Sequence, residues 1–321
     1  MNATFRPVDG AMSEDRPEKR VIRNLWLEEV RAVAHQNPSS DEPWYLTLPG
    51  AEGRDIQLLI EDGLISLTEV SSIADEDQGK IVAVESNSQA IAALQKRFIG
   101  LRIKEVDFRS LIRAEGQFRW PEGEDEKYCR ARVVNLDLNT PLKALIADKA
   151  VVFPVPAWID KLCQIHAKEP RIDWTLCLTL HGEVMWPEAA NLHTRRFLCE
   201  NLGREPLFDE GCKNFFGGKL YEAATREDYP NFAELDRIDQ QKIIMVMVPK
   251  IIARLVHDKG WRARTERNLR YGAREHAPMV TWIVKFTWDE EAIAEPDATY
   301  REALCNIFSG VGVVTEDGEI G

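Results

Sequence analysis

What this sequence has little of narrows its reading before anything it contains. No apolar run approaches the roughly 20 residues that a membrane-spanning helix needs; the most apolar stretch, Ile243 to Val248, is far shorter. The first twenty residues, MNATFRPVDGAMSEDRPEKR, are charged and lack the apolar centre of a secretory signal. These absences point to a cytoplasmic protein with no membrane partner. Positive charge is in deficit, with 41 Lys and Arg against 53 Asp and Glu and a formal net charge of -12. A non-specific coat for nucleic acid or anionic lipid carries the opposite balance. Any nucleic-acid contact must therefore come from a local basic patch.

Cysteine is sparse and unpatterned. Cys129, Cys163, Cys177, Cys199, Cys212 and Cys305 form no C-x-x-C and fit neither a zinc ribbon nor a disulfide framework. Cys163 and Cys177 lie in apolar segments, where the thiol acts as a small hydrophobe. The histidines show no H-x-x-x-H or H-E-x-x-H spacing, so no metal is expected. His181 follows a strand directly and either borders a cleft or is a satisfied structural residue. With no G-x-S-x-G elbow and no G-x-x-x-x-G-K-[ST] loop, the hydrolase and P-loop readings fail.

What is present is a globular balance, 44% hydrophobic and 29% charged over 321 residues. The chain divides into a mobile arm (1–17), an N-terminal helix (18–40), an α/β domain (41–290) and a C-terminal extension (291–321). Apolar positions at helical spacing run from Glu18 to His35 and stop at Asn37-Pro38. Strands are predicted at Trp44 to Leu48, Lys80 to Glu85, Leu101 to Phe108, Ala131 to Leu138 and Trp174 to Leu180. Helical patterns separate or follow them near 52–61, 91–98, 156–167, 188–202 and 232–257. Trp261 to Arg270 and Met279 to Trp288 read as two further strands. Strands alternating with helices imply parallel pairing, because each crossover needs a helix to return. Ligands in such sheets bind beyond the carboxyl ends of the strands.

Four strand ends then carry the chemistry. The first, Leu48-Pro49-Gly50-Ala51-Glu52-Gly53-Arg54-Asp55, lets the backbone turn sharply and approach a ligand at Gly50 and Gly53, ahead of a helix N-terminus. Glu85 closes the second, where a carboxylate can accept both hydroxyls of a ribose. The third is Asp107-Phe108, an acceptor for an amine beside a ring, or else a helix cap. The fourth, Asn135-Leu136-Asp137-Leu138-Asn139, sets amide and carboxylate groups where a substrate would react.

In this order the LPGAEGRD loop, the acid of KIVAVE, the VDF segment and VVNLDL resemble the motifs of the class I S-adenosylmethionine-dependent methyltransferases. The tail is similar too, since a fifth strand and helix there precede an antiparallel pair. The resemblance spans roughly residues 40 to 290. It implies a Rossmann-like three-layer sandwich, mostly parallel with a terminal antiparallel strand, and S-adenosylmethionine as cofactor. Gly50, Glu52 and Gly53 would lie beside its amino-acid end, Glu85 at the ribose, and Asp107 with Phe108 at the adenine. Asn135 and Asp137 would orient the nucleophile of an undetermined acceptor, with Asp137 accepting its proton. The family's acidic residue at the first strand end is replaced here by Leu-Pro-Gly. That replacement keeps open a catalytically inert methyltransferase-fold binding or assembly subunit. A nicotinamide-dependent oxidoreductase would want a fuller G-x-G-x-x-G.

One further segment stands out. Lys259, Arg262, Arg264, Arg267, Arg270 and Arg274 crowd residues 259–274, with Trp261 and Tyr271 among them. Arginine with aromatics suits phosphate and base contact, and equally suits a partner protein's acidic face or internal ion pairs. Lys213 to Lys219, rich in glycine and phenylalanine, reads as a connecting loop or a substrate lid.

Overall fold

Continuous β-branched runs such as IVAVE and MVTWIVKFTW suit strands buried on both faces, and the amphipathic segments between them supply the covering helices. The computed structural model describes residues 16–37, 42–68, 72–105, 129–143, 145–147, 150–152, 154–185, 188–226, 232–272 and 277–321. In chain order the elements are α1 (Pro17–Gln36), β1 (Tyr45–Thr47), α2 (Arg54–Glu61), β2 (Ile81–Glu85), α3 (Ser88–Arg97), β3 (Arg102–Glu105) and β4 (Val133–Lys143). A small hairpin, β5 (Leu145–Ala147) with β6 (Ala150–Val152), leads to α4 (Pro154–His166) and β7 (Trp174–Met185). Then come α5 (Glu188–Cys199), α6 (Pro206–Phe216), α7 (Gly218–Thr225) and α8 (Arg237–Val256). The chain ends with β8 (Trp261–Tyr271), β9 (Met279–Trp288), α9 (Glu291–Ala294), α10 (Pro296–Asn306) and β10 (Val311–Val313).

Among the described residues the main sheet has eight strands in the order β10-β8-β9-β7-β4-β1-β2-β3. From β3 across to β7 every neighbouring pair is parallel. β9 lies inside the sheet, antiparallel to both β7 and β8, and β10 adds parallel to β8. The fold is a Rossmann-like three-layer sandwich, mostly parallel with one internal antiparallel strand. Strand order reverses at β1, which pairs with β2 on one side and β4 on the other. The crevice at such a reversal is where open α/β sheets bind ligands.

The two faces are filled differently. On one, α4, α8 and α10 pack Ile159, Leu162, Met245, Val248 and Leu304 against Leu136, Leu176, Leu178 and Trp282. On the other, α1 and α2 bring Ile22, Trp26, Ile56 and Leu59 onto Tyr45, Val133, Cys177 and Ile283. α8 contains Pro249, which has no N–H to give the Met245 carbonyl one turn earlier. Asn268 of β8, fully buried, supplies the missing donor: its Nδ2 reaches Met245 O at 3.0 Å and Ile307 O at 3.1 Å. A helix with an interior proline therefore stays continuous within the buried core.

The structure departs from the sequence reading in a few places. Residues 213–219 are neither loop nor lid but the junction of two helices. Gly217, at φ +74°, ends α6, and α7 starts at the next residue. β4 and β7 continue to Lys143 and Met185, beyond their expected ends. Residues 291–321 supply β10 to the sheet, and α10 contributes to the core on the α8 face.

Candidate functional site at the carboxyl ends of the central strands

Register places the polar residues of adjacent strands side by side. Thr47 of β1 pairs with Asn135 of β4, and Asp137 of β4 pairs with Thr179 of β7. Asn135 and Asp137 are two residues apart, so both point to the face covered by α1. Asn135 is buried, and its Nδ2 donates to the Tyr45 hydroxyl at 2.7 Å. The Tyr45 hydroxyl in turn donates to Asp55 Oδ2 at 2.9 Å, and Thr47 donates to the same oxygen. Asp55 stands in the first turn of α2, where the helix dipole favours a carboxylate. Burial pushes the Tyr45 phenol well up, and the Asp55 charge adds to the rise, so Tyr45 stays a neutral donor. The chain Asn135–Tyr45–Asp55–Thr47 thus ties the ends of β1 and β4 to α2. Asn135 Oδ1 is left buried without a partner among the described residues.

Asp137 belongs to a second cluster. Lys19, near the start of α1, donates to both of its oxygens, at 2.8 and 2.6 Å, and to the Tyr271 hydroxyl at 3.3 Å. Burial alone would lower the Lys19 ammonium, but the charge of Asp137, with Tyr271, outweighs it and carries the value upward. Lys19 is therefore a cation held over the middle of β4, where its register with β7 shifts after Asp137.

The glycine loop has a different character. Gly50 and Gly53 both take positive φ, +59° and +55°. A Cβ on Gly53 would lie 2.6 Å from the Phe98 ring and 2.9 Å from Leu94, so this glycine is required for packing between the loop and the end of α3. Gly50 faces open space. Glu52 pairs with Arg54 at 2.7 Å, and its carbonyl accepts from Arg97 at 2.8 Å. At the end of β2, Glu85 Oε1 accepts from the backbone N–H groups of Ser86 and Asn87 at 2.8 and 2.9 Å. Asn87 in turn caps α3. Asp107 and Phe108 lie outside the described residues.

The basic segment is not one surface. Lys259 pairs with Asp160 at 2.6 Å, and Arg264 with Glu266 at 3.2 Å. Arg262 bridges Asp289, Glu302 and Glu291. Arg267 is exposed and Arg270 partly buried, and neither has an ion pair among the described residues. Arg274 is outside them.

Sequence reasoning brought Asn135 and Asp137 together and placed Gly50, Gly53 and Glu85 at the same sheet end. It missed Lys19, Tyr45, Thr47 and Tyr271. Lys19 and Asp137 are 118 residues apart in sequence, and no periodic pattern joins them. Asp55 carried a visible signal as an acid in a first helical turn.

No family model matches the sequence, and no curated protein does. Among solved structures the chain is similar to the Trm1–S-adenosyl-L-methionine complex from Pyrococcus horikoshii. Identity is 10% and the TM-score 0.37, over 91% of this chain and 61% of that one. It is likewise similar, at 10% identity and TM-score 0.39, to a modification subunit assigned to a type I restriction enzyme of Vibrio vulnificus. That likeness covers 96% of this chain but 48% of the other, so the chain spans less than two thirds of the length of either relative.

Proposed function

We propose that this chain is an S-adenosylmethionine-dependent methyltransferase. The observation that carries the reading is the sheet. A parallel set that reverses at β1 is followed by a strand, β9, inserted antiparallel between β7 and β8. That is the tail the class I resemblance implies, and it speaks against a nicotinamide-dependent oxidoreductase.

The residues at the carboxyl ends fit such a cofactor. Glu85 has a carboxylate oxygen beyond the one its backbone neighbours use, available to ribose hydroxyls. Gly50 leaves backbone open beside α2, where the amino-acid end would lie, and Glu52 adds charge nearby. Asp107 and Phe108 are assigned to the adenine. When bound, the cofactor supplies an electrophilic methyl group on a sulfonium. The protein's part is then alignment of the nucleophile, which is positional catalysis. Asn135, buried beside Asp137 on the same strand, would orient an acceptor N–H or O–H. Asp137 would take the acceptor's proton on a carboxylate oxygen that Lys19 releases. Candidate acceptors include nucleic acid; the 259–274 segment, where Arg267 and Arg270 hold no ion pair, would contact it or a protein's acidic face.

A second reading, an inert binding or assembly subunit of the same fold, draws on one specific feature. Both oxygens of Asp137 are occupied by Lys19. Calorimetric titration with S-adenosylmethionine and its demethylated product tests the cofactor. Saturable binding, weakened about tenfold by Glu85→Ala through loss of charge-assisted hydrogen bonds, is expected. No binding by the folded protein at millimolar ligand would overturn the methyltransferase reading in favour of the inert one.

A further inference from the structure

Asp55 stands where strand order reverses, and only one of its two oxygens is engaged. Oδ2 accepts from the hydroxyls of Tyr45 and Thr47 on β1, and Tyr45 links it to Asn135 of β4. All three of those residues are buried, so the carboxylate is held on the sheet at a set angle. Oδ1 accepts no hydrogen bond among the described residues, and no lysine or arginine there pairs with Asp55. The residue is half-buried, and Oδ1 keeps contact with solvent.

The neighbouring acids are committed differently. Asp137 accepts from Lys19 on both oxygens, and Glu52 pairs with Arg54. The end of β1 itself, Thr47-Leu48-Pro49-Gly50, holds no acid, and Asp55 returns one to it from α2. The helix dipole accounts for an acid in the first turn, and the tie to β1 accounts for Oδ2. Neither uses Oδ1. An oriented carboxylate with a solvent-facing oxygen, in the crevice where open α/β sheets bind ligands, is a ready partner for a ligand's cation. The cofactor of the proposed reaction carries one at its amino-acid end, an ammonium with three N–H donors.

We infer that Asp55 binds the ammonium of the cofactor's amino-acid end through Oδ1, with Tyr45 and Thr47 as the positioning residues that aim it. This rests on the methyltransferase reading and adds to it a residue for the charged end of the ligand.

The test is a calorimetric cycle of two ligands on two proteins. The ligands are the demethylated product of the cofactor and its analogue with the amino group replaced by hydrogen. The proteins are the full chain and Asp55→Asn, shown folded by circular dichroism. The full chain is expected to bind the product at least about tenfold more tightly than the analogue, as one charge-assisted hydrogen bond is worth. In Asp55→Asn the amide oxygen can still accept from Tyr45 and Thr47. There the product should weaken to the level of the analogue, and the analogue should bind as it does to the full chain. If Asp55→Asn does not fold, carbodiimide labelling of Asp55 in the full chain, read by mass spectrometry, takes its place. The product should slow that labelling and the analogue should not. A ratio near one in the full chain, a ratio that survives Asp55→Asn, or labelling indifferent to the product would each overturn this inference and leave the cofactor assignment standing. No binding of the product by the folded full chain would overturn it together with the methyltransferase reading.

Discussion

Lys19 is partly buried and Lys250 fully buried, on opposite faces of one sheet, and their surroundings move their ammonium groups in opposite directions. Lys250 of α8 is fully buried. It donates to the carbonyls of Phe197 and Leu198 at the end of α5, between the Phe197 and Phe208 rings at 5.0 and 5.1 Å. Among the described residues no carboxylate is hydrogen-bonded to it, and burial lowers its pKa to about 8 against the pull of Glu200. Lys19 has Asp137 within 2.6 Å, and its pKa rises. Lys250 serves a helix end, satisfying carbonyls that α5 cannot pair internally. Lys19 serves a charge at the mouth of the candidate site. Around Lys250 the face covered by α8 thus serves packing and helix capping, and the α1 face carries an ionic cluster where a ligand would arrive.

The largest effect expected is at Lys250. Lys250→Ala opens a cavity and strands two carbonyls, a loss of about 3–4 kcal/mol in denaturant unfolding. Lys250→Met keeps the packing and isolates the capping; a Met variant as stable as wild type would show that capping is not what Lys250 contributes. The same pair sharpens the pH contrast. Between about pH 8 and 10.5 the unfolded chain holds a proton that folded Lys250 has released, so its contribution to stability rises with pH across that window. Wild type should gain up to about 3 kcal/mol on Lys250→Met there. Lys19, with a raised value, contributes fully below 10.5 and loses that contribution as pH climbs through its folded value. A flat difference between wild type and Lys250→Met would break the comparison.

A smaller effect is expected at Lys19. A double-mutant cycle of Lys19→Met and Asp137→Asn should return a coupling of about 1–2 kcal/mol, between surface and fully buried pairs because both side chains keep some exposure. A coupling near zero would mean that Asp137 is free for other partners, which favours the catalytic reading over the inert one.

Much of the fold was legible because its strands are unambiguous. IVAVE and MVTWIVKFTW are continuous and β-branched or aromatic, and the second matched β9 at both ends. β10 escaped notice because three residues carry no period. Lys213 to Lys219 misled because paired glycines ordinarily punctuate loops, whereas here Gly217 is a helix stop with another helix directly behind it. The candidate site was legible only where chemistry sits at strand ends, as at Glu85, Asn135 and Asp137. Its ionic partner comes from α1, and the ring that completes it from β8, and only the folded chain brings these together. Gly53 shows the converse, a residue read for ligand approach whose immediate demand is the Phe98 ring.

The most direct test of the central claim is hydrogen exchange with and without S-adenosylmethionine. Slower exchange is expected in the loop at 50–55 and the turn at 85–90, with the β8 and β10 ends unchanged. Protection confined to β8 and β10, or none despite saturating ligand, would contradict a cofactor site at the ends of β1 and β2.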